Sequence, residues 1–271
     1  SLPLGAVSAG LTVLLFRIAP RTALGAVCCL AAAFSALTMV RNRDYRTALG
    51  LWSDTVAKAP MSSRAHGSLG QLLLAEPGRR AEGLAHLREA LRLAPGDAET
   101  HYQLGLALLG ERNEAEALVH FRLGAHLDRN HALASAQAAL LLLESDRPAE
   151  ALRFARRAVE LRPTRADFRL LLGASLRGIA GGLPESLAVL ERLVGEFPDN
   201  AVAWFQRGLS LSLVEGGRPA ALECLERATR IDPKLAPAWR ARAGILAAIG
   251  GREAEVRMCE ERAAALERGV P

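Results

Sequence analysis

The chain has few aromatic residues and only two lysines, and both shortages limit what it can bind. Phe, Tyr and Trp together make up 4% of the 271 residues, whereas surfaces that bind single-stranded nucleic acid use aromatic side chains as stacking platforms. The formal charge is +5, but the 34 basic residues are interleaved with 29 acidic ones. That mixture is typical of solvated helix faces and gives no dense basic cluster. We therefore expect no nucleic-acid partner.

Charge is missing altogether from Thr22 to Val40, a run of 19 residues bounded by Arg21 and Arg41. As a helix this run would reach about 28 Å, close to the hydrocarbon thickness of a bilayer. A shorter uncharged run covers residues 2–16. The two runs predict a transmembrane helical hairpin over residues 1–40, with a truncated first span. A secretory signal is the alternative, and the presence of two apolar runs with Arg17 between them weighs against it.

After the apolar runs, a pattern returns every 34 to 35 residues and is visible six times. Each unit opens on a Leu-Gly or similar pair, and most units close on a proline. A period of this length predicts an array of stacked helix pairs, because one pair cannot bury its own apolar face. The opening pairs are Leu69-Gly70, Leu104-Gly105, Ala138-Ala139, Leu172-Gly173, Arg207-Gly208 and Arg242-Ala243.

The spacing within a unit resembles the tetratricopeptide repeat family. With the Leu-Gly pair at positions 7 and 8, small residues stand at 8, 20 and 27 and a large one at 24, as in Gly105, Ala117, Gly124 and Phe121. The resemblance covers residues 63 to about 266. It implies an all-α fold, a right-handed superhelical solenoid of about six helix pairs. Extra residues at Pro77-Gly78, Gly181-Gly182 and Gly216-Gly217 fall where the two helices of a pair should turn.

The predicted organisation has three parts. One or two transmembrane helices occupy residues 1–40, and residues 41–62 form a membrane-proximal half repeat, a second helix without a normal first one. Residues 63–271 form the solenoid, which ends in a polar capping helix rich in glutamate.

The family resemblance also implies a binding site, because the first helix of each repeat lines a concave surface. Apolar residues and three glutamines stand at the corresponding positions, which predicts an apolar groove for a protein or peptide partner. Burial of these leucines against the chain's own next turn, or against the membrane part, is the alternative. The predicted groove residues are Tyr102, Gln103, Leu106, Leu109, Leu133, Gln137, Leu140, Leu170, Phe205, Gln206 and Leu209.

No arrangement of residues that would support catalysis is visible. His120, His126 and His131 are spaced too irregularly to share one helical face. His66 and His101 stand at the same repeat position, where later repeats have Trp, which predicts a packing role. We expect no catalytic residue, no metal site and no cofactor in this chain.

A second resemblance covers about 35 residues at the start of the repeats. Residues 41–46, Leu51-Trp52, Pro60, and then Arg64 through Gly70 are similar to the junction at which membrane O-mannosyltransferases pass from their last spans into tetratricopeptide repeats. This resemblance implies a glycosyltransferase whose catalytic part lies upstream, and it implies an extracytoplasmic array on a bacterial inner membrane. The arginines that follow Val40 favour the cytoplasmic side instead.

Overall fold

The computed structural model describes residues 47–269. Those residues form thirteen α-helices and contain no strand. In chain order the helices are α1 (Ala48–Lys58), α2 (Ser63–Ala75), α3 (Arg80–Leu93), α4 (Ala98–Gly110), α5 (Glu114–Leu127), α6 (Ala132–Glu144), α7 (Pro148–Leu161), α8 (Ala166–Arg177), α9 (Leu183–Glu196), α10 (Ala201–Leu211), α11 (Arg218–Ile231), α12 (Ala236–Ile249) and α13 (Glu253–Glu267). The all-α class and the six helix pairs expected after residue 62 are confirmed.

Several helices begin at residues whose side chains satisfy the free N–H groups of the first turn. Asp97 precedes α4 and accepts a hydrogen bond from the backbone N–H of Glu99 at 3.2 Å. Asn200 precedes α10 and accepts one from Ala203 at 3.0 Å. Helices α7, α9, α11 and α12 instead carry proline in the first turn, where its missing N–H costs no helical bond.

The turns within the helix pairs are tight and need a left-handed residue. Gly78, Gly181 and Gly216 have φ angles of 77°, 74° and 72°, which glycine adopts without steric cost. These are the inserted residues that the sequence placed between paired helices. In the other three pairs the positive φ is adopted by Arg112 between α4 and α5, by Asp146 between α6 and α7, and by Gly250 and Gly251 between α12 and α13.

The described chain divides into two compact units between Pro95 and Gly96. The first contains α1–α3, and the second contains α4–α13. Within the second unit each helix packs on the next one along the chain. The division falls inside the array that the sequence predicted as residues 63–271.

The two helices of a pair meet at a glycine of the first and a bulky residue of the second. A Cβ atom added to Gly105 would lie 2.6 Å from Cε1 of Phe121, and one added to Gly208 would lie 2.9 Å from Cγ of Leu225. Where the first helix has Ala139 in place of glycine, the second has Ala155 in place of the bulky residue, and both are fully buried. Small and large residues therefore compensate one another across each pair.

None of the helices between residues 47 and 269 is long and apolar enough to span a bilayer. The predicted transmembrane hairpin lies at residues 1–40, outside the described residues. The first residues of the predicted half repeat, 41–46, also lie outside them. Helix α1 follows, and none of its residues is fully buried.

Candidate functional site

The first helices of three successive repeats, α6, α8 and α10, line a cleft of about 800 Å³ in the second unit. Five of the eleven predicted groove residues lie along it: Leu133, Gln137 and Leu140 from α6, Leu170 from α8 and Gln206 from α10. We call this surface the helix-A cleft. The repeat register brings these side chains together although they are spread over more than seventy residues of sequence.

Apolar side chains in the helix-A cleft remain open to solvent. Leu140 is 37% exposed, Val202 is 39% exposed and Leu213 is 60% exposed. Each of these residues lines the cleft. A monomeric array gains nothing from leaving such side chains in water, so their position marks a surface suited to an apolar partner.

Polar groups of the cleft are partly engaged with one another. Arg177 donates a hydrogen bond from Nη1 to Oε1 of Gln206 at 2.6 Å, and burial lowers the pKa of the Arg177 guanidinium. The side chain of Gln137 makes no hydrogen bond within the described part of the chain. Its amide is therefore available both to donate to and to accept from a bound backbone.

An ion pair stands at the rim of the same cleft. Arg165 donates to Asp167 from Nε at 2.9 Å and from Nη2 at 2.6 Å. This bidentate contact holds the pKa of the Asp167 carboxyl below its ordinary value. Because the pair is about half exposed, it contributes little energy and mainly holds the Arg165 side chain in one orientation at the rim.

The other six predicted groove residues do not line the helix-A cleft. Tyr102 packs against two other rings. Its ring centroid lies 5.8 Å from that of Phe121 and 4.9 Å from that of His131. Gln103 donates to Oε1 of Glu99 at 2.6 Å. The remaining four are half-buried on α4 and α10: Leu106, Leu109, Phe205 and Leu209.

In each of two repeats, a pair of histidines connects the first helix to the second, and sequence reasoning found only one member of each pair. His66 and His101 are buried, as expected of packing residues. Nδ1 of His66 lies 2.9 Å from Nδ1 of His86, and Nδ1 of His101 lies 2.9 Å from Nδ1 of His120. The signal in the sequence is that both repeats carry histidine at positions 4 and 23.

The position occupied by these histidines has a common structural role along the chain. Nε2 of His66 lies 3.1 Å from the carbonyl oxygen of Pro60. The indole N–H groups of Trp204 and Trp239 donate to the carbonyl oxygens of Pro198 and Pro233 at 2.8 and 3.0 Å. A ring nitrogen at position 4 therefore contacts the carbonyl oxygen of the proline two residues beyond the end of the preceding helix. Among the described residues, no group of three or more His, Cys, Asp or Glu side chains is placed to hold a metal ion.

Known proteins agree with this architecture. Residues 136–201 match a family model described as a tetratricopeptide repeat. No curated protein matches the chain. Among solved structures, YrrB, described as a tetratricopeptide repeat protein with an unusual peptide-binding site, superposes with a TM-score of 0.63 at 22% identity, covering 70% of this chain and 97% of its own.

Two further solved structures have the same fold. A tetratricopeptide repeat protein from Parabacteroides merdae gives a TM-score of 0.60 at 17% identity and covers 87% of this chain and 89% of its own. MamA from Desulfovibrio magneticus gives a TM-score of 0.55 at 22% identity and covers 64% of this chain and 96% of its own. The family match over residues 136–201 shows that this chain contains tetratricopeptide repeats, and the solved structures share its fold.

Proposed function

We propose that this chain is a membrane-anchored interaction module that binds a segment of a partner or acceptor polypeptide in the helix-A cleft. The observation that carries the proposal is the set of exposed apolar side chains, Leu140, Val202 and Leu213, that line one cleft. The peptide-binding site named for YrrB, which shares the fold, supports this use of the array.

The cleft favours an extended segment with apolar side chains. Leu133, Leu140 and Leu170 offer apolar contacts, and Gln137 offers an amide to the backbone of the segment. An extended chain has free N–H and C=O groups, which side-chain amides can satisfy in pairs. A few buried apolar anchors would then supply most of the binding energy.

Membrane anchoring is the second part of the proposal, and it rests on the sequence. The uncharged run from Thr22 to Val40 has the length of a bilayer span. An anchor at residues 1–40 would place the repeats at the surface of a bacterial inner membrane, and we propose the extracytoplasmic side.

A second candidate function concerns a longer parent protein. The residues from Arg41 through Gly70 are similar to the junction found in membrane O-mannosyltransferases. If that likeness reflects descent, this chain is the acceptor-handling part of such an enzyme, and its gene continues upstream into further apolar spans. Upstream sequence without such spans would contradict this alternative.

The test of the cleft uses the full chain in mild detergent and peptides selected from a random library for binding to it. Changing Leu140 and Leu213 together to Ser should weaken binding of the selected peptides at least about tenfold. Because both side chains are exposed, stability should change by less than about 1 kcal/mol.

The matched control changes Ile249 and Met258 to Ser, since these are also exposed apolar residues, at 44% and 43%, and lie outside the cleft. Binding should then be unchanged. Selected peptides that bind the Leu140→Ser/Leu213→Ser variant as tightly as the parent would show that the partner uses another surface.

A further inference from the structure

A second cleft, of about 1380 Å³, lies on the opposite set of helices in the second unit. Its walls come from α5 and α7, the second helices of two successive repeats, and its floor includes Ser135 and Leu141 of α6. We call it the helix-B cleft. It shares no residue with the helix-A cleft, and the proposed function does not use it.

One wall of the helix-B cleft is apolar and exposed. Val119 of α5 is 54% exposed, and Leu123, one turn later, is 39% exposed. Leu118 of α5 and Phe154 of α7 continue the apolar surface inward and are half-buried against the core. Two large apolar side chains on the outer face of a helix favour contact with another apolar surface.

Comparison among the repeats shows that this apolar wall is peculiar to α5. Leu123 is residue 26 of its repeat when the Leu-Gly pair is numbered 7 and 8 and the inserted turn residues are left out. In four other second helices a charged side chain stands at that position. These residues are Glu89 in α3, Arg157 in α7, Arg192 in α9 and Arg227 in α11. The helix pair therefore folds with a charge at this position, and packing within the pair does not account for the leucine.

The opposite wall and the ends of the helix-B cleft are basic, and α5 itself adds Arg122. Six arginines line it against a single acid, Glu114. Arg112, Arg129 and Arg153 make no ion pair within the described residues. The arginines are Arg112, Arg122, Arg129, Arg147, Arg153 and Arg157.

The other three arginines are partly neutralised. Arg147 lies 2.5 Å from Glu150, and Arg122 is 3.9 Å from the same residue. Arg157 pairs with Glu160 at 3.0 Å. The cleft therefore keeps an excess of positive charge beside an apolar wall, which is complementary to a segment that carries carboxylates next to apolar side chains.

We propose that the helix-B cleft is a docking site for an acidic amphipathic helix of a partner protein. Leucine-type side chains of that helix would cover Val119 and Leu123, and its carboxylates would pair with Arg112, Arg129 and Arg153. Arginine is suited to this contact because its planar guanidinium pairs with a carboxylate through two hydrogen bonds.

Other occupants fit the cleft less well. Residues 1–46 of this chain are apolar, but their charged residues are five arginines and one aspartate, so they would be repelled by the basic wall. A flat anionic membrane matches the charge but would not reach the floor residues Ser135 and Leu141. A partner helix satisfies both the shape and the charge.

The test uses the full chain in mild detergent and a fluorescent synthetic peptide as long as α5, with Leu on one helical face and Glu beside it. We expect saturable binding that weakens several-fold as salt rises from about 50 to about 500 mM. A peptide with Lys in place of each Glu should bind at least about tenfold more weakly.

Variants locate the binding. Leu123→Glu introduces the residue type that α3 carries at this position, so the helix pair should keep its thermal stability, and Arg153→Glu reverses one unpaired charge. Each should weaken binding at least about tenfold. Arg192→Glu, the same charge change on α9 outside the cleft, and Leu140→Ser in the helix-A cleft should leave it within about twofold.

Three results would overturn the proposal. The first is binding that Leu123→Glu and Arg153→Glu leave unchanged, or that only Leu140→Ser weakens. The second is failure of the peptide to bind while micelles containing phosphatidylglycerol bind through Leu123 and Arg153, which would assign the cleft to a lipid surface. The third is self-association of the chain that Leu123→Glu abolishes, which would make a second copy the occupant.

Discussion

Replacing Gly105 by Ala tests the close contact between a glycine and a bulky side chain that joins the helix pair α4 and α5. The added Cβ would lie 2.6 Å from Cε1 and 2.9 Å from Cδ1 and Cζ of Phe121, whereas carbon atoms prefer about 3.5–4.0 Å. The Phe121 ring is fully buried and also packs against Tyr102. The ring cannot withdraw by about 1 Å without displacing its neighbours, so α4 and α5 must separate.

Two opposing effects set the expected size of the change. Overpacking of a tight core costs about 1–3 kcal/mol, and Ala gains about 1 kcal/mol over Gly in a helix interior. With three ring atoms too close, overpacking should dominate, and we expect a net loss of about 1–2 kcal/mol. In thermal unfolding followed by circular dichroism this corresponds to a midpoint lower by about 2–4 °C per kcal/mol. Gly105→Leu should be more damaging still.

A matched substitution gives the opposite sign. Gly244 lies inside α12, has no atom within 4 Å of an added Cβ and does not have a positive φ. Gly244→Ala should therefore stabilise the chain by about 0.5–1 kcal/mol. In a Phe121→Ala background the penalty of Gly105→Ala should disappear, because two small residues then face each other as Ala139 and Ala155 do. Equal midpoints for Gly105→Ala and Gly244→Ala would refute the packing argument.

Two further predictions concern polar contacts at repeat position 4 and its partner. Burial, followed by the nearby His66, lowers the pKa of His86 below its ordinary value, so stability should be fully present above about pH 6.5 and fall as the pH drops from there toward the lowered pKa. The free energy of unfolding in urea should fall between about pH 7.5 and about pH 5.5 in the parent, and it should fall less in His86→Asn. An equal fall in the two proteins would contradict the prediction. Trp204→Phe keeps an aromatic ring, smaller than the indole, but loses the 2.8 Å hydrogen bond to Pro198, and loss of that bond should cost about 0.5–1.5 kcal/mol. A Trp204→Phe variant that melts with the parent would show that water replaces the indole N–H at no cost.

The sequence predicted the fold closely because tetratricopeptide packing is local. Within each unit a helix contacts mainly the next helix along the chain, so a period of 34 to 35 residues repeats one set of contacts. Gly105 and Phe121 stood at the positions expected of a close helix crossing, and their side chains meet there. Glycines added between paired helices adopt the left-handed backbone that such turns require.

The candidate site was predicted less completely. Position within a repeat indicated that Leu140 and Gln206 face the same side, and both line the helix-A cleft. It did not indicate that Arg177 holds Gln206, or that Tyr102 packs among other rings. Those contacts depend on side-chain reach between repeats, which the repeat period does not specify.

What the sequence by itself determined is the helix register, since the alternation of small and large residues leaves one way to bury each apolar face. Only the tertiary structure decided which side chains stay in solvent and which find partners. His101 pairs with His120 across two helices, although His120 shares no helical face with His126 or His131. The helix-B cleft likewise exists because Leu123 of α5 and Arg153 of α7 are brought to facing walls. Distances between side chains of different helices are fixed by packing in three dimensions, and a one-dimensional period contains no measure of them.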